Sequence, residues 1–214
     1  MKNPPPSRKR NPAESRLRIL DAATRHFGQL GFDGARVDVI ARAARINKQL
    51  LYHYFGNKDA LFTRVLERAY QQLREQESAL NLDGLPADEA ILALLDFTWH
   101  YYLSHPDFIR LLNSENQMHA RHLKASRNIL TINSHHLKIY RALIRRGQRE
   151  KTVRGDLDAL QLSINIASLG FFYLMNRHTM STVFKSDLNS PRMLRRRLLV
   201  MGDVIGRWIR PATQ

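Results

Sequence analysis

The chain contains no cysteine, so disulfide staples, thiolate nucleophiles and thiolate metal ligands are all excluded. It has no apolar run of about 18 residues, the length that a membrane-spanning helix needs. Its basic N-terminus runs into prolines and not into an apolar stretch, so it does not read as a signal peptide. No segment alternates with period 2 over a strand's length, and no repeat recurs at a solenoid period. No nucleophile motif, phosphate loop or two-histidine metal signature is present, which argues against an enzyme. Acid is scarce beside base: 19 Asp and Glu face 34 Lys and Arg, for a net charge of +15.

Enough remains for a folded protein. Hydrophobic residues make up 43% and charged residues 25% of 214, which suits one large domain or two smaller ones in a soluble, cytoplasmic chain. The positive charge is uneven. Residues 1–58 hold 12 basic side chains against 4 acidic, whereas residues 59–214 hold 22 against 15. A dense basic end favours a polyanion, because neutralising phosphates releases counterions.

Residues 1–12 carry four prolines and four basic residues and read as a flexible basic arm. Every long segment after that reads as helix. Leu17, Leu20, Thr24, Phe27 and Leu30 recur at spacings of 3 and 4, which predicts a helix over 13–30, stopped by Gly31. A short helix follows around Val37, Ile40 and Ala41. A second, about 48–54, opens on Asn47 as N-cap. Gly56-Asn57 ends it, and a long helix runs from Lys58 to about Leu80. Further helices are expected over 87–104, 106–118, 122–150, 157–178 and 191–209, about nine in all. The last begins with Ser190 as cap and Pro191 at the first helical position. The domain boundary is expected near Phe55–Asn57, giving an arm at 1–12, a helix-turn-helix at 13–57 and a larger domain at 58–214.

The stretch VDVIARAARINKQLLYHYFGNKDAL, from Val37 to Leu61, is the most informative. Two short helices joined by a tight turn after a longer helix form a helix-turn-helix. Lys48, Gln49, Tyr52 and His53 fall at offsets 0, 1, 4 and 5 and share one face, while Leu51 and Phe55 share the opposite one. The run resembles the TetR-family signature. Asn47 opens the recognition helix, Leu51-Tyr52-His53-Tyr54-Phe55 follows, and Lys58 and Leu61 start the next helix. Gly31-Phe32 and Ile40-Ala41 also fit. Two positions depart from the pattern. Arg45 stands where the turn has glycine, at a cost of about 1–2 kcal/mol if that position needs positive φ, and Arg36 stands where a capping threonine is common.

The resemblance implies an all-α homodimer that regulates transcription, with an N-terminal three-helix DNA-binding domain and a C-terminal effector and dimerisation domain. Lys48 and Gln49 would reach base edges. Tyr52, His53 and Lys58 would hold phosphates. Arg36, Arg45 and Asn47 would add weaker phosphate contacts. A two-fold protein of this kind reads a palindromic operator, and a repressor is the expected sense.

In the last helix Leu194, Leu198, Met201, Ile205 and Trp208 recur at 4, 3, 4 and 3, an a/d seam. Ser163, Ala167 and Gly170 form a small-residue stripe on the helix before it. Together they are the expected dimer interface. For a small-molecule effector the expected contacts are Trp99, Tyr102, Asn113, Asn116, Gln117, Phe171, Phe172 and Asn176, aromatic walls with placed polar groups that suit an aromatic or heterocyclic ligand. Glu115, His119 and His122 fall at spacings that could form a metal face, but no further ligand is evident, and no metal or cofactor is expected. His135 and His136 read as a solvated pair. Two rival readings stay open: a DNA-binding protein of this fold without an effector, and a relative that binds a partner other than DNA.

Overall fold

In a computed structural model, the described residues 11–211 form eleven helical segments and no strand. These are α1 (Pro12–Gly34), α2 (Val37–Ala43), α3 (Lys48–Phe55), α4 (Lys58–Ser78), α5 (Ala87–Ser104), α6 (Pro106–Gln117), α7 (Arg121–Ala125), α8 (Arg127–Asn133), α9 (His136–Glu150), α10 (Ala159–Val183) and α11 (Pro191–Ile209). The count exceeds nine because the helix expected over 122–150 is three. Ser126 opens α8 by accepting the Ile129 N–H at 3.2 Å, and a turn at Ser134-His135 separates α8 from α9. Most of the expected basic arm lies outside the described residues. Asn11 and Pro12 belong to the start of α1, where the Asn11 side chain accepts the Ala13 N–H at 3.1 Å.

The chain divides into two compact units. One holds the residues up to Glu67 together with Arg110–Ala125, and the other holds Arg68–Ile109 together with the residues from Ser126 onward. The divisions fall inside α4 and α6, whereas the sequence pattern placed a boundary near Phe55–Asn57. In the first unit the helices after α1 bury Ile40, Leu51, Leu61 and Phe62, and α1 itself buries Ile19, Ala22, Ala23 and Phe27, which meets Phe62 edge to face at 4.9 Å. That face is not the one its leucines suggest, since Leu17 and Leu30 are exposed. Alanines at 22 and 23 let neighbouring helices come close, and each fully buried Leu or Phe contributes about 1.5–3 kcal/mol. α1 is interrupted at Gly31, which takes φ 70° and ψ 179°.

In the second unit α5 is central and packs against α9, α10 and α11. Its buried face carries Ile91, Leu94, Leu95, Trp99 and Tyr102. Trp99 meets Tyr173 edge to face at 5.8 Å, and both Trp99 and Tyr102 lie close over Gly170. Of the predicted a/d seam of α11, Met201 and Ile205 belong to this core and are fully buried, whereas Leu194, Leu198 and Trp208 are half-buried. Ser163 and Gly170 of the small-residue stripe are buried too, and Ala167 is half-buried. What α10 and α11 leave outside is another set of apolar side chains: Leu160, Ile164 and Phe172 on α10, and Leu199, Val200 and Val204 on α11. Among the described residues no helix is long and apolar enough to cross a membrane.

Candidate nucleic-acid interface and ligand cavity

The first unit presents α3 as its reading surface. The Asn47 side chain accepts the Leu50 N–H at 2.7 Å and so caps the helix. Its other end stops at Gly56, whose φ of 80° and N–H bond to the Tyr52 carbonyl close the last turn. Leu51 is fully buried and anchors the helix, and Phe55 is half-buried. Lys48, Gln49, Tyr52 and His53 are all exposed on the far side. The Lys48 ammonium lies 5.6 Å from the centre of the Tyr52 ring, a cation–π contact that holds charge and phenol side by side.

The turn before α3 settles the two departures. Arg45 takes φ 57°. Its N–H bonds the Arg42 carbonyl and the Ile46 N–H bonds the Ala41 carbonyl, both at 3.0 Å, a Schellman closure with arginine in the left-handed position. Arg36 precedes α2 without a side-chain capping bond. It forks onto Asp38 instead, at 3.2 and 3.3 Å. Lys58 is half-buried. Its ammonium donates to the Asp33 carbonyl at 3.3 Å and stands 4.7 Å over the Phe32 ring, so it also ties α4 to the end of α1.

A polar cluster braces this head from α6 and α7. The Phe32 N–H, just after the break at Gly31, donates to Ser114 Oγ at 3.0 Å. Glu115 is buried and accepts the backbone N–H groups of His122 and Leu123 at 2.7 and 2.9 Å, with its other oxygen 2.7 Å from His122 Nδ1. His122 Nε2 lies 3.2 Å from Asp59 Oδ1, to which Arg121 also donates at 2.7 Å. His119 is exposed in the intervening turn, so Glu115, His119 and His122 do not converge. Among the described residues no three His, Asp or Glu side chains could hold a metal ion.

The second unit contains a small cavity of about 40 Å³, lined by Arg74, Glu77, Thr98, Tyr102, His136, Tyr140 and Ser163 with Leu73, Ile166 and Ala167. Beside it runs an open groove of about 560 Å³ that shares Arg74, Glu77 and His136 with the cavity. Arg74 Nη1 donates to Glu77 Oε2 at 2.5 Å and meets His136 Nδ1, and its Nε donates to Asn133 at 3.0 Å. His136 Nδ1 lies 3.0 Å from Glu77, and its Nε2 lies 2.8 Å from Ser163 Oγ. Burial pushes the Glu77 carboxyl up, but the bond to His136 and the charges of Arg74 and His136 outweigh it and hold the group below the ordinary carboxylate value. Burial pushes the Tyr102 hydroxyl up to about 12 and raises that of Tyr140 as well.

Of the eight side chains expected to meet an effector, Tyr102 alone lines this cavity. Trp99 is core, Phe171 is half-buried, Phe172 is exposed, and Asn176 donates to the Phe172 carbonyl at 2.9 Å. Asn113 is half-buried and Asn116 and Gln117 are exposed, all three in the first unit. His135 is exposed as expected, but His136 is not a solvated residue. It bridges α4 and α10. Arg74, Glu77, His136 and Tyr140 carried no local signal. They meet only because two helices far apart in sequence, α4 and α9, converge.

Comparison with known proteins agrees with this arrangement. Residues 19–65 match the family model described as bacterial regulatory proteins, tetR family, and residues 88–205 match that of the tetracyclin repressor-like C-terminal domain. A helix-turn-helix transcriptional regulator is thus the class that fold and site define. More particularly, the chain belongs to the TetR family, whose members pair this DNA-binding head with a ligand-responsive domain. It is 36% identical over 174 residues to the HTH-type transcriptional repressor NicS of Pseudomonas putida, covering 81% of this chain and 82% of that one. The fold is similar to that of the Streptomyces coelicolor regulator SCO4942, with a TM-score of 0.70 at 23% identity over 92% of this chain and 99% of the other. It is also similar to FadR of Bacillus subtilis, solved in complex with stearoyl-CoA, with a TM-score of 0.66 at 17% identity over 90% and 98%.

Proposed function

We infer that this protein is a cytoplasmic repressor. It binds a palindromic operator as a homodimer and leaves it when a small molecule occupies the second unit. The observation that carries the DNA reading is the outer face of α3, where Lys48, Gln49, Tyr52 and His53 stand exposed on a helix capped at both ends and anchored by Leu51. Lysine and glutamine suit guanine and adenine edges, while the other two side chains, with Lys58, suit phosphates. The name of the Pseudomonas relative, a repressor, supports the sense of regulation. The Bacillus complex supports a small-molecule site in a domain of this fold. For this chain the candidate is the cavity around Arg74, Glu77, His136 and Tyr140. The exposed apolar stripe of α10 and α11 is the face for a second copy. The reading gives the chain no enzymatic role.

The test is fluorescence anisotropy of the purified protein on a duplex from its own upstream region, with excess unrelated DNA, repeated with Tyr52→Ala. Tight, competitor-resistant binding that the substitution weakens by about tenfold or more supports reading by α3. Weak, salt-sensitive binding equal in both proteins would defeat it.

A further inference from the structure

The cavity of the second unit contains polar groups that the protein itself does not satisfy. Tyr140 is 1%, Glu77 3% and Tyr102 6% exposed. All three line the cavity. Among the described residues, neither phenol hydroxyl nor Glu77 Oε1 has a hydrogen-bond partner in the protein. Buried polar groups are ordinarily paired, with protein or with water; these three atoms keep some surface open to the void, so they are the groups that an occupant of the cavity would meet. Their chemistry is specific. Glu77 is held ionised beside Arg74 and so only accepts, whereas the phenols, with titration pushed up by burial, keep their protons and can donate.

The charges decide what such a site admits. Arg74 and Glu77 neutralise each other at 2.5 Å, and Arg74 is further held by Asn133 at 3.0 Å. An anion would draw Arg74 away and leave Glu77 buried without a counterion. A cation would leave Arg74 in the same position. Either result is costly. The size decides the rest. About 40 Å³ holds a head group of only a few heavy atoms, since one water needs roughly 10–15 Å³. The adjoining groove of about 560 Å³, with Ile132, Ile139 and Ala79 among its walls, has room for a larger apolar body.

We propose that the effector is an uncharged molecule whose small polar head enters the cavity and carries a hydrogen-bond donor beside an acceptor oxygen, the pattern of a carboxamide. The head donates to Glu77 and accepts from Tyr102 and Tyr140, and the body lies in the groove. His136, which bonds Ser163 across the cavity and adjoins both Arg74 and Glu77, stands between the two spaces and turns to admit the ligand. The proposal rests on the reading of this chain as a ligand-responsive regulator, and it deepens that reading by naming the chemistry.

Three probes of one shape separate the possibilities: benzamide, benzoate and benzamidine, which are neutral, anionic and cationic. Each is titrated into the full chain at millimolar concentration, with binding followed by calorimetry and thermal shift, in wild type and in Tyr140→Phe and Tyr102→Phe. These variants lose a hydroxyl and keep the ring. Benzamide should bind and raise Tm, the charged probes should not, and each Tyr→Phe variant should weaken benzamide by several-fold to about tenfold. A preference for benzoate or benzamidine, equal benzamide affinity in all three proteins, or no binding of any probe would overturn the proposal. Operator release is read separately by anisotropy. Benzamide that binds as expected without loosening DNA would refute the effector reading and leave the site chemistry standing. A compound that releases DNA with affinity unchanged in Tyr140→Phe would do the reverse.

Discussion

Arg45 holds φ 57° at the turn that aims the recognition helix, and a side chain in the left-handed region costs about 1–2 kcal/mol relative to glycine. The sequence could locate this strain but not its size, because the expected cost depended on whether the turn needed positive φ, and the Schellman closure shows that it does. The arginine is exposed beside α3, where its charge can face phosphate. Arg45→Gly should therefore raise stability by about 1 kcal/mol, read as a shift in urea midpoint at unchanged m-value, while weakening operator binding. A variant no more stable than wild type would mean that the arginine makes contacts that offset its strain.

Glu77 makes the opposite kind of residue-scale argument. Its folded-state titration lies below the ordinary value of 4.5, so its contribution is complete above that value and is lost as pH falls through the lower folded-state one. Stability measured for wild type and Glu77→Gln should converge as pH falls below 4.5 and through the lower folded-state value. Parallel curves would show that the charge of Glu77 adds nothing. Neither Glu77 nor its partner His136 was legible as part of a site. They are 59 positions apart, and neither flanking sequence contains a motif that predicts the meeting.

At the scale of elements, what could be read depended on whether a helix's surroundings were local. α3 was legible because a short helix with one anchoring leucine and an N-cap has only one way to lie, and its polar face follows from the spacing. The cap itself can be tested. Asn47→Ala removes the bond to the Leu50 N–H and should cost about 1 kcal/mol with a matching loss of operator affinity, measured by denaturation and anisotropy on one preparation. Unchanged stability would mean that the head tolerates an uncapped α3. α1 and α11 were harder. Periodicity identifies an apolar face but not what covers it. In α1 the alanines, not the outer leucines, face the core. In α11 Met201 and Ile205 of the 4-3-4-3 seam are buried within the unit, Leu194, Leu198 and Trp208 are half-buried, and Leu199, Val200 and Val204 are exposed.

For the whole molecule, the face proposed for pairing is the apolar stripe that α10 and α11 leave exposed. Phe172 is 60% and Leu199 71% exposed, in company with Leu160, Ile164, Val200 and Val204. Burying side chains of this kind contributes about 1.5–3 kcal/mol each, and six per copy are enough to offset the roughly 4–15 kcal/mol that association costs. Substituting the buried Met201 or Ile205 would damage the fold and reveal nothing about pairing. Phe172→Glu combined with Leu199→Glu leaves the protomer core untouched and places charge on the exposed stripe. Sedimentation equilibrium should show a dimer for wild type and a monomer of unchanged helicity for the variant. The monomer should retain weak contact with a half-site and lose most of its affinity for the full operator, because two linked heads bind with an effective concentration that a single head lacks. A dimer that survives both glutamates would place the two-fold axis on another face. The half-site spacing expected of the operator would then have to be derived anew from that face.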